Sequence, residues 1–129
     1  MNSNLIKSPQ LEDGYTRIAN ELMEAMSLYP FTGGELRVIF VILRLTYGYG
    51  CKVTNISLNE LARKTNLTRR HIPNILKSLK NDGVINIARL GNKNVIGINK
   101  RYFGWRLWIK VPFKLSDFTT LVNGSSPKG

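Results

Sequence analysis

The feature that most constrains this fold is a pair of short, well-delimited helical patterns between residues 56 and 83. Ser57 precedes the first pattern and Glu60 stands three residues later, which is the spacing of a reciprocal N-terminal capping box. Asn66 lies between the patterns, and asparagine tolerates the left-handed backbone of a tight turn. Gly83 is the expected C-terminal cap. These signals predict a helix-turn-helix over residues 57–82.

The second helix of this unit has one apolar side and one polar, basic side. Thr68 is its predicted N-cap. The apolar residues have the i, i+3, i+4, i+7 spacing of a buried stripe; they are Ile72, Ile75, Leu76 and Leu79. Directly opposite that stripe lie Arg70, Asn74, Lys77 and Asn81. The helix is therefore expected to pack on one side and to offer hydrogen-bond donors on the other.

The chemistry of this polar side suits DNA. Arginine and asparagine often read guanine and adenine edges, while lysine and threonine hold phosphates. The predicted recognition residues are Thr68, Arg69, Arg70, His71, Asn74, Lys77 and Asn81. The alternative is a basic face that is only solvated, but the two capped helices favour DNA recognition.

Pro73 complicates the start of this helix. With Thr68 as the cap, Pro73 falls at the fifth helical position, where its ring clashes with the preceding turn. We therefore expect either a kink or a later start of the helix.

A β-hairpin is predicted directly after the second helix, over residues 84–99. Val84, Ile85 and Ile87 form one strand, and a second strand follows a turn rich in glycine and asparagine at residues 89–94. A hairpin in this place is a wing, and its predicted DNA contacts are Arg89, Asn92, Lys93 and Asn94. The alternative is an ordinary exposed hairpin. The predicted fold class is α+β, mainly helical: a winged helix-turn-helix with an N-terminal helix extension and a small β-hairpin wing.

The flanking sequence predicts the domain boundaries. Residues 1–12 lack periodicity and are expected to form a flexible arm, and residues 13–111 form the winged-helix domain. A helix is expected over residues 15–26. Alternation from residue 105 to residue 110 predicts a further strand, with Trp105 in the core and Trp108 either buried or in contact with a partner. Residues 112–129 have the composition of a linker.

A central helix is predicted over residues 33–47. Thr32 and Glu35 have the spacing of a capping box at its start. Its apolar residues fall on two sides, so we expect it to be buried nearly all round. The second apolar side packs either on the N-terminal helix or on a second subunit, which leaves a homodimer open.

The charge balance points to a polyanionic partner. Nineteen Lys and Arg against eight Asp and Glu give a formal net charge of +11, which attracts nucleic acid and anionic membranes alike. The sequence has neither a signal peptide nor an apolar run long enough to span a bilayer, so no membrane association and a cytoplasmic location are expected.

The residues do not predict an enzyme. The single cysteine and single histidine make neither a structural zinc site nor a nucleophile pair. The eight carboxylates show no clustered pair for acid-base chemistry, and no phosphate-binding loop is present. No catalytic residue, metal or cofactor is therefore expected.

Four separated motifs also carry a family resemblance. They read DGYTRIANEL at residues 13–22, TGGELRV at 32–38, TYGYG at 46–50 and ISLNELA at 56–62. Together they resemble the N-terminal, origin-binding domain of the phage lambda replication protein O family, from about Asp13 to Trp105. The resemblance implies a winged helix that binds repeated sites in a phage or prophage replication origin, often as a dimer.

In that family a further C-terminal region recruits the helicase or the helicase loader. For this chain, that contact is expected only if a longer chain or another partner supplies it. Two other functions remain open at this point, because a fold does not reveal what its bound site is for. They are a transcriptional regulator and a protein-interaction module that uses the second apolar side of the central helix and Trp108.

Overall fold

The protein, seen in a computed structural model that describes residues 9–106, combines α-helices with a small antiparallel sheet, which confirms the predicted α+β class. The helices are α1 (Asn20–Leu28), α2 (Gly33–Thr46), α3 (Leu58–Thr65) and α4 (Ile72–Asn81). The strands are β1 (Thr54–Ile56), β2 (Ile85–Leu90) and β3 (Lys93–Ile98). Short 3-10 helices are formed by Leu11–Asp13, Tyr47–Tyr49 and Tyr102–Gly104.

The sheet has the order β1-β3-β2, and both pairings are antiparallel. The hairpin of β2 and β3 was predicted, whereas β1 was not. With three residues, β1 is too short to show a period-2 pattern in the sequence. It pairs Ile56 with Asn94 and so joins the start of α3 to the hairpin.

The core lies between α2, the inner sides of α3 and α4, and the sheet. Val38, Ile39, Ile42 and Leu43 of α2 are at most 1% exposed. Phe40 of the same helix is 63% exposed. The prediction that α2 is buried nearly all round is therefore wrong on the side that carries Phe40. The Thr32–Glu35 capping box is confirmed, with hydrogen bonds in both directions.

The N-terminal part differs from its prediction. Residues 1–8 lie outside the described residues, and residues 11–13 form a 3-10 helix rather than an irregular arm. The helix expected over residues 15–26 begins at Asn20 and ends at Leu28. Its N-cap, Ala19, is not helical, and Ile18 packs against the core from the non-helical segment before α1. An extended residue next to a helix can fill the same side, which periodicity alone does not distinguish.

Trp105 closes the core, as predicted. It is 2% exposed, its ring lies 5.1 Å from that of Tyr29, and its indole nitrogen donates to the Asn99 carbonyl oxygen at 3.0 Å. It follows a 3-10 helix rather than opening a strand. The rest of the expected strand, Trp108 and the 112–129 tail lie outside the described residues, so the domain boundary near residue 111 stays a prediction. Within residues 9–106, no helix is long and apolar enough to cross a membrane.

Candidate nucleic-acid interface

Helix α3 begins where the sequence predicts. The Ser57 hydroxyl accepts a hydrogen bond from the Glu60 backbone N–H at 3.2 Å, which satisfies one donor of the first turn. The return interaction differs from a standard capping box, because the Glu60 carboxylate accepts from the Ser57 hydroxyl at 3.4 Å. At the other end, Asn66 adopts the predicted left-handed conformation with a φ of 57°. The chain therefore leaves α3 sharply toward α4.

Helix α4 begins later than its capping signal predicts. Its first residue is Ile72, so Thr68 is not its N-cap and Pro73 occupies the second helical position. Proline is tolerated there because the first-turn N–H groups have no partner within the helix. The Thr68 hydroxyl instead lies 2.9 Å from His71 Nδ1, and the His71 N–H donates to the Thr68 carbonyl at 3.0 Å. The predicted later start is confirmed.

The predicted recognition residues lie partly before α4 and partly on it. Arg69, Arg70 and His71 lie in the turn before α4, whereas Asn74, Lys77 and Asn81 lie on the helix itself. All seven predicted residues are exposed; they are Thr68, Arg69, Arg70, His71, Asn74, Lys77 and Asn81. Arg69 is also held to α3, since its Nε donates to Asn59 Oδ1 at 3.1 Å. Asn59 was not among the predicted site residues.

A buried carboxylate fixes α4 on the central helix. Glu35, which is 7% exposed, accepts from the Thr32 N–H through Oε1 and from the Ser78 hydroxyl through Oε2, at 2.8 and 3.0 Å. Next to it, a β-carbon added to Gly34 would lie 3.1 Å from Ile75 Cδ1. The sequence identified Glu35 only as a capping residue, because a contact spanning 43 positions leaves no local signal.

We expect Ser78→Ala to lower the free energy of unfolding by about 1–3 kcal/mol, because it leaves a buried carboxylate oxygen without its donor. Ser27→Ala is the matched control, since the Ser27 hydroxyl is exposed and donates only within its own helix. Urea denaturation of both variants measures the difference. Equal stability of the two would show that the bond between Glu35 and Ser78 does not stabilise the fold.

The hairpin has a tighter turn than predicted. Leu90 pairs with Lys93, so only Gly91 and Asn92 form the turn, and Gly91 has the positive φ of 64° that such a turn requires at its first position. The Arg89 Nε donates to the Gly91 carbonyl at 3.0 Å and supports it. Arg89 and Lys93 are therefore strand residues at the base of the tip.

The predicted wing contacts differ in accessibility. Arg89, Asn92 and Lys93 are exposed, as expected of residues that touch a partner. Asn94 is only 7% exposed, so its prediction as a residue of the exposed tip is wrong. The physical reason is register: Asn94 lies within β3, opposite Ile56 and Arg89, and its side chain points to the covered side of the sheet.

Two phenols outside the predicted DNA-binding set have shifted pKa values. Burial raises the pKa of Tyr47 above its ordinary value. Burial, and then the carboxylate of Glu21, raise the pKa of Tyr102. The Tyr102 hydroxyl donates to Glu21 Oε2 at 3.3 Å, so it acts as a protonated donor that ties the segment after β3 to α1. Within residues 9–106, no group of three or more His, Cys, Asp or Glu side chains is placed to hold a metal ion.

Comparison with known proteins identifies relatives of this chain. Replication protein 15 of Enterobacteria phage phi80 is 29% identical over 97 residues, which are 75% of this chain and 32% of that protein. DNA replication protein gp18 of Salmonella phage P22 is 32% identical over 97 residues, or 75% of this chain and 34% of that protein. Replication protein O of Escherichia phage lambda is 39% identical over 57 residues, or 44% of this chain and 17% of that protein.

This chain thus spans about a third of the length of the first two relatives. A family model described as bacteriophage replication protein O matches residues 7–105, which include α1 to α4, the hairpin and Trp105. That match confirms the resemblance carried by the four sequence motifs. The chain belongs to the bacteriophage replication protein O family.

Proposed function

We propose that this chain is a non-catalytic, winged-helix protein that binds double-stranded DNA in a sequence-specific way, at a phage or prophage replication origin, to initiate DNA replication. The observation that carries the proposal is the joint exposure of two donor-rich surfaces on adjacent elements. One is the outward side of α4 with the turn before it, and the other is the hairpin tip. Helix α4 packs against β2, so the two surfaces lie on elements that are in contact with each other.

The order of elements supports the winged-helix assignment. Helix α2 is followed by β1, by the α3 and α4 pair, and then by the β2–β3 hairpin. In such a unit the second helix enters the major groove with its N-terminal residues nearest the base edges. Arg70, His71 and Asn74 lie at that end of α4. Asn92 lies in the hairpin turn and Lys93 directly after it, where both are suited to contact phosphates or a minor groove.

The replication role is supported by the relatives rather than by the site. Their names describe replication proteins of phages, and the family match, over residues 7–105, includes all four helices and the three strands. Contact with a helicase or helicase loader is proposed only through a longer chain or another partner. A homodimer is supported by an apolar groove of about 460 Å3 between α1 and α2, where Met23 and Phe40 are 52% and 63% exposed.

The test is a binding titration in which duplexes are first selected from a random pool and then compared with scrambled sequences at several salt concentrations. We expect preferential binding of the selected duplex, with affinity that falls as salt rises because counterions are released. Failure to bind any duplex at low salt contradicts the proposal. If the selected sequence is absent from phage origins, the proposal of DNA binding stands but the proposed role in replication is contradicted.

Lys93→Ala is expected to weaken binding to selected and scrambled duplexes alike and to reduce the salt slope by about one, because one phosphate contact is lost. Lys100→Ala is the charge-matched control. Lys100 is exposed and follows β3, at the opposite end of the hairpin from the tip. If both variants changed the slope equally, net charge rather than the tip would explain the effect.

A further inference from the structure

A cleft of about 270 Å3 lies beside the end of the hairpin that is opposite its tip. Asn86 and Gly97 line it, and they stand opposite each other in the pairing of β2 with β3. Their neighbours Ile85 and Ile96 are at most 2% exposed, and successive strand residues point to opposite sides of a sheet. The cleft therefore opens on the side of the sheet that faces away from the core, and we call it the outer cleft.

Tyr47 gives the outer cleft a buried hydrogen-bond donor. It lines the cleft, and its hydroxyl is the one buried side-chain polar atom among the described residues that has no hydrogen-bond partner. Buried polar groups almost always have a partner, so this hydroxyl calls for an explanation. Burial also raises the pKa of Tyr47, so the phenol keeps its proton at neutral pH and can donate it. A ligand with an acceptor oxygen would supply the missing partner.

Positive charge adjoins this donor. Lys52 and Lys100 line the outer cleft, and both are exposed. Asn86, which is also exposed, adds a side-chain amide that can donate. No carboxylate is among the described lining residues. The polar part of the lining therefore suits an anionic ligand that accepts hydrogen bonds through oxygen atoms.

Gly97 explains how Lys52 comes to line the cleft. A β-carbon added to Gly97 would lie 2.6 Å from the Lys52 carbonyl oxygen and 3.1 Å from Val53 Cγ1. A residue without a side chain is therefore required for the segment before β1 to pack this closely on β3. Val53 is 51% exposed there, so apolar surface lies next to the cationic groups.

We propose that the outer cleft binds a glutamate or aspartate side chain in an acidic segment of a partner protein. The carboxylate accepts a hydrogen bond from the Tyr47 hydroxyl and lies between the ammonium groups of Lys52 and Lys100. The hydroxyl has almost no accessible surface, so the lining must adjust as the carboxylate enters. Exposed side chains change rotamer readily, which allows this adjustment. The inference goes beyond the proposed function, because it concerns a surface outside the candidate DNA interface.

Tyr102 shows which partner such a hydroxyl takes in this protein. It is the other phenol whose pKa is raised by burial, and its hydroxyl donates to the Glu21 carboxylate at 3.3 Å. Tyr47 has no carboxylate beside it among the described residues that line the outer cleft. A carboxylate from another protein would therefore give Tyr47 the kind of acceptor that Tyr102 finds within its own chain.

The size and the position of the outer cleft favour a protein segment. Pockets that enclose a small molecule usually have roughly 300–1,000 Å3, so a smaller cleft suits a single side chain. The exposed part of Val53 offers apolar surface to the residues next to that side chain. Lys100 lies at the opposite end of the hairpin from the tip, so such a partner can bind while the candidate DNA interface is occupied.

The test titrates the intact chain with a capped tetrapeptide of alternating leucine and glutamate, and follows the backbone amide signals by NMR. We expect saturable shifts at Lys52, Val53 and Gly97, which adjoin the outer cleft. The same peptide with glutamine in place of glutamate, and acetate at the same concentration, should shift these signals far less. If either shifts them as strongly as the glutamate peptide does, the assignment to an acidic protein segment is overturned.

Tyr47→Phe is the first variant, because it removes only the hydroxyl. We expect the dissociation constant of the glutamate peptide to rise about tenfold, since a hydrogen bond to a charged group is lost. The midpoint of urea unfolding should stay the same or rise, because the hydroxyl has no partner within the described fold. Unchanged peptide binding by this variant overturns the proposal. A clear loss of stability also overturns it, because the hydroxyl would then have a structural role.

Lys100→Ala should raise the dissociation constant of the peptide about two- to fivefold, as expected for the loss of an exposed ion pair. Lys64→Ala is the charge-matched control and should bind as the wild type does, because Lys64 is exposed on α3 and does not line the outer cleft. Equal losses for the two variants would mean that net charge attracts the peptide, and would overturn the site. The assay contains no DNA, so a failure of the proposed duplex binding leaves these outcomes unchanged.

Discussion

Leu79→Ala is expected to lower the free energy of unfolding by about 2–5 kcal/mol, the largest stability effect of any change considered for this protein. Leu79 lies on the inner side of α4 and is fully buried. Truncation removes apolar contact and leaves a cavity where α4 meets the core. Urea denaturation followed by circular dichroism measures the change.

The matched control is Asn81→Ala on the same helix. Asn81 is exposed at the end of α4, so its replacement should change stability by no more than about 0.5 kcal/mol. Near-equal midpoints for the two variants would mean that the inner side of α4 does not hold it to the core. DNA binding by Leu79→Ala should return when the temperature is lowered far enough for the variant to be folded.

Arg70→Ala is expected to cost about 1–3 kcal/mol of binding free energy at the selected site and to relax the base preference there. Arg70 is exposed in the turn before α4, at the end of the helix that is nearest the bases in a winged-helix complex. The measurement is a titration of the variant against the selected duplex and its single-base-pair substitutions.

Arg101→Ala controls for the loss of one positive charge, because Arg101 is exposed after β3 and outside the proposed interface. A loss for Arg70→Ala that is equal on every duplex would reassign Arg70 to a phosphate. No loss on the selected site would contradict the recognition surface itself.

Local signals in the sequence predicted the parts of the fold that local interactions form. The Thr32 and Ser57 caps, the left-handed Asn66 and the hairpin are each formed by residues close together in the chain. Thr68 shows where such signals compete. Threonine is a favoured N-cap residue, which predicts a helix that begins directly after Thr68. Pro73, however, is tolerated in the first turn of a helix and not in its interior, so α4 begins at Ile72.

The remainder of the candidate site depends on contacts between distant residues. Three features follow from how the helices pack on the sheet. They are the hydrogen bond from Ser78 to Glu35, the pairing of β1 with β3 and the burial of Asn94. The positions of the candidate recognition residues relative to an apolar stripe predicted that they would be exposed, and the structure confirms this exposure. The sequence could not show that Lys80 and Asn94 line the same cleft, because that cleft exists only when α4 packs beside the hairpin.

The late start of α4 has a consequence for how this domain can diversify. Arg69, Arg70 and His71 lie in an exposed turn, outside the buried stripe that Ile72 begins. Substitutions in this turn therefore change the proposed DNA-facing surface at little cost in folding. Under the proposed function, a change in the origin sequence can be matched by substitutions at these three positions, while the helices and the sheet that position them stay unchanged.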